Sequence, residues 1–82
     1  MPSYIDKKED ALEIDGDKVR ELRERLLLTQ TDLGERAGLS LYTVSSVERG
    51  AHSATFKTAR ALSEALGVEP EELMLPLALA QR

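Results

Sequence analysis

The sequence predicts an all-α domain of five short helices with brief extensions at both ends. Three observations carry this. Apolar residues recur at helical spacing through residues 18–74, residues able to cap a helix stand at the head of the runs, and glycines close them. In "TDLGERAGLSLYTVSSVERG" only Gly38, Leu39 and Ser40 separate two such runs. Helices joined by so short a turn cross steeply instead of lying side by side.

Size and composition limit what these helices can do. Eighty-two residues with 41% hydrophobic content make one domain, which buries roughly 60% of the surface its unfolded chain exposes. The sequence contains no cysteine and one histidine, His52. This excludes a disulfide framework, a thiolate metal site and a cysteine nucleophile, and it suits a reducing compartment. Neither a metal nor a cofactor is implied. No apolar run reaches the roughly 18 residues that span a bilayer, and "MPSYIDKKED" lacks the apolar core of a secretory signal. A soluble cytoplasmic protein with no membrane partner is the expectation. The net charge of −4 is unevenly spread: −4 over residues 1–17, +3 over 18–60 and −3 over 61–82. Because charge acts over about a Debye length, a basic middle between acidic ends permits a nucleic-acid partner without demanding one.

The first helix starts near "DGDKV", where Asp15 or Asp17 can cap it, and its apolar face is Val19, Leu22 and Leu26. Lys18, Arg20, Glu21, Glu24 and Arg25 are left for solvent. The second helix, barely two turns long, opens on Thr29 and Asp32 as a shortened capping box and buries Leu33 and Ala37. Gly38 can take the left-handed conformation that ends a helix, Leu39 can plug the gap, and Ser40 can cap the next helix. Gly34, costly inside a helix by about 1 kcal/mol, implies that the third helix approaches closely. That helix runs from Leu41 to about Arg49, with Val44 and Val47 on one side and Tyr42, Ser45, Ser46 and Arg49 on the other. Thr55 caps a fourth helix whose stripe is Phe56, Ala59, Leu62 and Leu66; Gly67 ends it, with Val68 placed for the accompanying apolar contact. Pro70 opens a one-turn fifth helix, "PEELM".

From "KVRELRERLLLTQTDLGERAGLSLYTVSSVERG" through "TARALSEALGVEPEELM", about residues 18–74, the chain resembles the lambda-repressor and Cro-like helix-turn-helix domains, the XRE family. The glutamine opening the second helix, Gly34, Gly38, both valines and the "ERG" stop agree in order and spacing. The resemblance implies a sequence-specific regulator of transcription, a repressor, that binds double-stranded DNA as a homodimer with its third helix in the major groove. It puts Leu41, Tyr42, Thr43 and Ser46 at base edges, and Gln30 and Thr31 at phosphate. Arg49, His52 and Lys57 meet the backbone on the other side. Each has a plainer reading: Gln30 as a capping side chain, His52 as a solvated loop residue, Lys57 as part of a wet helix surface. Leu41 and Tyr42 stand where many relatives carry long polar side chains, which favours packing on thymine methyl groups, with Ser45, Ser46 and the Tyr42 hydroxyl bonding nearby. Ala54 replaces a proline common among relatives. The resemblance also pairs Arg23 with Glu48, tying the third helix to the scaffold; the alternative is an exposed ion pair worth at most about 1 kcal/mol.

The expected organisation is an acidic N-terminal extension over residues 1–16, the helix-turn-helix domain over 17–74 and an apolar tail over 75–82. The extension reads as a frayed tail or, from "ALEID", a short strand; its carboxylates argue against an arm that grips DNA. Leu73, Leu75, Leu77 and Leu79 suggest a dimerisation element, with folding back onto the protomer's own core as the competing reading. Two other function classes compete with a regulator. Ser45, Ser46 and the pairs Glu9/Asp10 and Glu71/Glu72 could in principle do chemistry, but the sequence offers no histidine or cysteine cluster and no phosphate-cradling glycine loop to support an enzyme. A protein-interaction module on the same scaffold, such as an antitoxin that binds a toxin as well as DNA, is the alternative to a free-standing repressor.

Overall fold

A computed structural model of the protein describes residues 13–50 and 55–74. Four α-helices succeed one another: α1 (Gly16–Arg25), α2 (Gln30–Ala37), α3 (Leu41–Arg49) and α4 (Phe56–Leu66), and a 3₁₀ turn, Pro70–Leu73, stands in the place of the fifth helix. Among the described residues everything else regular is one antiparallel bridge between Ile14 and Met74.

The helix starts arise from local chemistry. Asp15 caps α1, its side chain accepting from the Lys18 N–H at 3.2 Å. Thr29 and Asp32 form a reciprocal box, Thr29 Oγ1 accepting from the Asp32 N–H at 3.0 Å and Asp32 Oδ2 from the Thr29 N–H at 2.9 Å. Ser40 and Thr55 cap α3 and α4 one way only, their hydroxyls accepting from the Thr43 and Thr58 N–H. The chain turns between α2 and α3 because Gly38 adopts φ +71°, a conformation that costs a residue with a side chain roughly 1–2 kcal/mol. Leu39 packs half-buried against the core, and a Cβ on Gly34 would lie 2.6 Å from the Leu39 carbonyl oxygen. Gly34 therefore admits the turn's backbone directly.

The core gathers one or two side chains from every element: Val19, Leu33, Val44, Val47, Leu62, Leu66 and Leu73. Around it pack Ile14, Leu22, Ala37, Leu39, Ala65 and Val68. α3 rests on both α1 and α2, while α4 packs on α2, α1 and the 3₁₀ turn.

Three side chains sit differently from expectation. Leu73, expected in a dimerisation element, is fully buried in its own subunit, where the 3₁₀ turn packs on α1 and α4. Leu75, Leu77 and Leu79 lie outside the described residues. Leu26 is 45% exposed, since α1 ends at Arg25 and Leu26 is its cap. Phe56 is 51% exposed; it continues the α4 stripe, but a stripe is buried only as far as a neighbour covers it. Residues 14–16 also pack with the helices. Ile14 pairs with Met74, the Asp15 N–H donates to the Leu73 carbonyl at 2.8 Å, and Gly16 is buried. The expectations for residues 1–12 lie outside the described residues.

Candidate nucleic-acid interface

The outward side of α3 is set by the two helices beneath it. Val44 and Val47 are buried, at 0% and 2% exposure. Leu41 and Tyr42, in the first turn, stand 51% and 72% exposed, large apolar groups left in water at the head of a helix. Thr43 and Ser45 are half-buried. The Thr43 hydroxyl is engaged locally, accepting from Ser40 Oγ at 3.0 Å.

Ser46 departs from expectation: it is fully buried and accepts from Arg49 Nη2 at 3.3 Å. At roughly 100° per residue, Ser46 stands about 100° from Val47. A helix covered by one neighbour would leave it wet. α3 is covered by two, α1 and α2, so its buried arc widens to include Ser46. Ser46 thereby presents no exposed surface on the outward side of α3.

Beside this surface, α2 presents Thr31, which is exposed, and Gln30, which is half-buried. Gln30 Nε2 donates to Glu48 Oε1 at 3.0 Å, a tie that no sequence pattern indicates. Arg49 is exposed at the end of α3 and Lys57 is exposed in the first turn of α4. His52 and Ala54 lie outside the described residues.

Glu48 is the pivot that holds α3 against the rest. Its side chain is 2% exposed, yet it is fully partnered. Arg23 grips both oxygens, Nε to Oε2 at 2.6 Å and Nη2 to Oε1 at 3.0 Å, and sends Nη1 to the Leu28 carbonyl at 2.8 Å. The expected pair is thus present, and its planar fork is the geometry that carboxylate recognition favours. The hydrogen bond to Glu48 raises the Arg23 pKa above its ordinary value; burial opposes this, and attraction to Glu48 and then Glu24 adds to it. In the α2 box the Thr29 backbone N–H, then the Thr29 side chain, holds the Asp32 carboxyl below the usual carboxylate range.

Gly16 completes the support. A Cβ there would collide with the Val47 carbonyl oxygen and lie 2.6 Å from that of Glu48. The start of α1 therefore sits directly on the last turn of α3. Only a residue without a side chain permits this. Among the described residues no cluster of His, Cys, Asp or Glu is arranged to hold a metal ion. No described helix is long and apolar enough to cross a membrane.

Two short helices joined through Gly38, the second presenting its first turn outward while its valines anchor it, define a helix-turn-helix domain. The helix-turn-helix family model matches residues 19–73, and the chain belongs to this family, in its lambda-repressor and Cro-like branch. An uncharacterized HTH-type transcriptional regulator, y4dJ of Sinorhizobium fredii, is 37% identical over 67 residues, spanning 82% of this chain and 87% of that protein. The restriction-modification controller protein C.AhdI from Aeromonas hydrophila superposes with a TM-score of 0.69 at 37% identity, over 72% of this chain and 89% of that one. The P22 c2 repressor, solved in complex with a synthetic operator, gives a TM-score of 0.69 at 32% identity over the same shares, 72% and 89%.

Proposed function

We propose that this protein is a DNA-binding regulator of transcription that represses from a two-fold operator as a homodimer. The observation that carries the reading is the outward first turn of α3, with Leu41 and Tyr42 exposed above buried Val44 and Val47. Kinship with a repressor solved on operator DNA supports it. Leu41, Tyr42, Thr43 and Ser45 form the base-reading set. A surface with two apolar groups and no long amide or lysine reads thymine methyls better than it makes bidentate purine contacts. Gln30 and Thr31 serve phosphate on one side, and Arg49, His52 and Lys57 on the other; these contacts position without specifying. A dimer is called for by the need to occupy two half-sites about one helical turn apart.

Selection of bound sequences from a random duplex pool tests all parts together. The expected result is a two-fold motif with thymines opposite Leu41 and Tyr42, and an affinity that falls steeply with salt. A motif without thymine preference there rejects the apolar readout. A single half-site without a symmetric partner rejects the dimer. No complex even at low salt rejects DNA binding and favours the protein-interaction alternative, a toxin partner included.

A further inference from the structure

Two guanidiniums converge on the one carboxylate of Glu48. Arg23 alone matches its single negative charge with hydrogen bonds to both oxygens. Arg20, on the preceding turn of α1, brings a second guanidinium, its Nε 3.8 Å from Glu48 Oε1. That distance is too long for a hydrogen bond. The oxygen is also already occupied, accepting from Arg23 Nη2 and Gln30 Nε2 at 3.0 Å each. Among the described residues no acid other than Glu48 lies within ion-pair distance of Arg20. Its side chain is 48% exposed. One turn further on, by contrast, Arg25 is held by Glu21 at 2.7 Å.

Glu24, 62% exposed, stands 3.9 Å from Arg23 and evens the charge count, but Arg20 stays half exposed and drawn to the same Glu48 oxygen that the amide opening α2 donates to. Gln30 spends one amide hydrogen on Glu48, and the amide has a second. A guanidinium beside an amide N–H offers the donors that a phosphodiester accepts through its two non-bridging oxygens.

We propose that Arg20 binds a DNA phosphate alongside Gln30, with buried Glu48 holding both donors in place by accepting from one and attracting the other. The inference rests on the DNA-binding reading and adds a residue that the sequence left to solvent. It also gives Glu48 a second duty: the carboxylate that anchors α3 sets the geometry of a phosphate contact.

The probe is a labelled random-sequence DNA duplex about two helical turns long, because non-specific binding reads phosphate contacts free of base preference. Affinity is measured by fluorescence anisotropy between about 50 and 200 mM salt, for wild type, Arg20→Ala, Arg20→Lys and Arg25→Ala, with a melting curve for each. Losing one phosphate contact makes the slope of log affinity against log salt shallower by roughly 0.9, which is about an eightfold loss of affinity near 0.1 M salt. Arg20→Ala is expected to show both changes, while Arg20→Lys and Arg25→Ala keep the wild-type slope. An Arg20→Ala slope equal to wild type overturns the proposal. If its melting temperature falls at the same time, Arg20 supports Glu48 and nothing more. A wild-type protein that forms no complex at low salt removes the DNA-binding reading, and this proposal with it.

Discussion

Replacing Arg23 with alanine strands a buried charge, and the structure contains an internal standard for what that costs. Arg23 and Glu48 meet at 2.6 Å with side chains 11% and 2% exposed, whereas Arg25 and Glu21 meet at 2.7 Å with side chains 67% and 52% exposed. The bonds are nearly equal in length and differ in burial. Removing one partner of a buried pair costs about 3–5 kcal/mol, because the other charge is left uncompensated. Here Gln30 continues to donate to Glu48 and Arg20 remains at 3.8 Å, which puts Arg23→Ala at the low end, about 3 kcal/mol. The exposed pair contributes at most about 1 kcal/mol. For a domain of this size 1 kcal/mol moves the melting temperature by about 4–8 °C, so Arg23→Ala should lower it by about 12–24 °C and Arg25→Ala by only a few degrees. The double variant Arg23→Met with Glu48→Gln removes the stranded charge while keeping an acceptor for Gln30, and it should recover at least half of the loss. Thermal melts recorded by circular dichroism decide the matter. If Arg23→Ala melts with Arg25→Ala, or if the double variant melts no higher than Arg23→Ala, burial is not what makes the pair matter.

Three further outcomes are expected. Gly16→Ala drives a methyl group into the carbonyls of Val47 and Glu48 and should cost about 1–3 kcal/mol, read as a lower denaturation midpoint; an unchanged midpoint would mean the approach of α1 to α3 is looser than described. Leu27 holds φ +59° while 90% exposed, so Leu27→Asn should relieve strain without losing packing and stabilise by about 0.5–1 kcal/mol; a lower melting temperature would contradict this. The depressed Asp32 carboxyl contributes stability that is fully present above the usual carboxylate range, about pH 4, and is lost as the pH falls through its lower folded value. Melting temperatures taken from about pH 6 down to about pH 3 should therefore fall less steeply for Asp32→Asn than for wild type, and superimposable profiles would speak against the box.

What could be read from the sequence and what could not divide along the range of the interactions. Thr29 with Asp32, Ser40, Thr55 and Gly38 act on backbone within a few residues of themselves, so each was legible at its own position. Val44 and Val47 were legible because one helical stripe suffices to place them. Ser46 was not, since its burial depends on a second neighbour that crosses α3 at an angle periodicity does not encode. The same holds for Leu73, whose apolar character fits a subunit interface as well as a core, and for Phe56, which continues a stripe past the end of its cover. The Arg23–Glu48 pair, 25 residues apart, came from family resemblance; no local rule selects those two among the charged residues. Gly16 and the tie from Gln30 to Glu48 are tertiary in the same sense. A glycine's cost announces that something approaches, without saying what.

The pairing of Ile14 with Met74, fastened by the bond from Asp15 to Leu73, has a consequence for engineering. The backbone enters and leaves this bundle on adjacent tracks, about 5 Å apart as neighbouring strands are. Spliced into a surface loop of an unrelated host, residues 13–74 would spread the severed loop by little more than one strand width, so the pair of helices could be carried as a cassette with both seams on the same side of the insert.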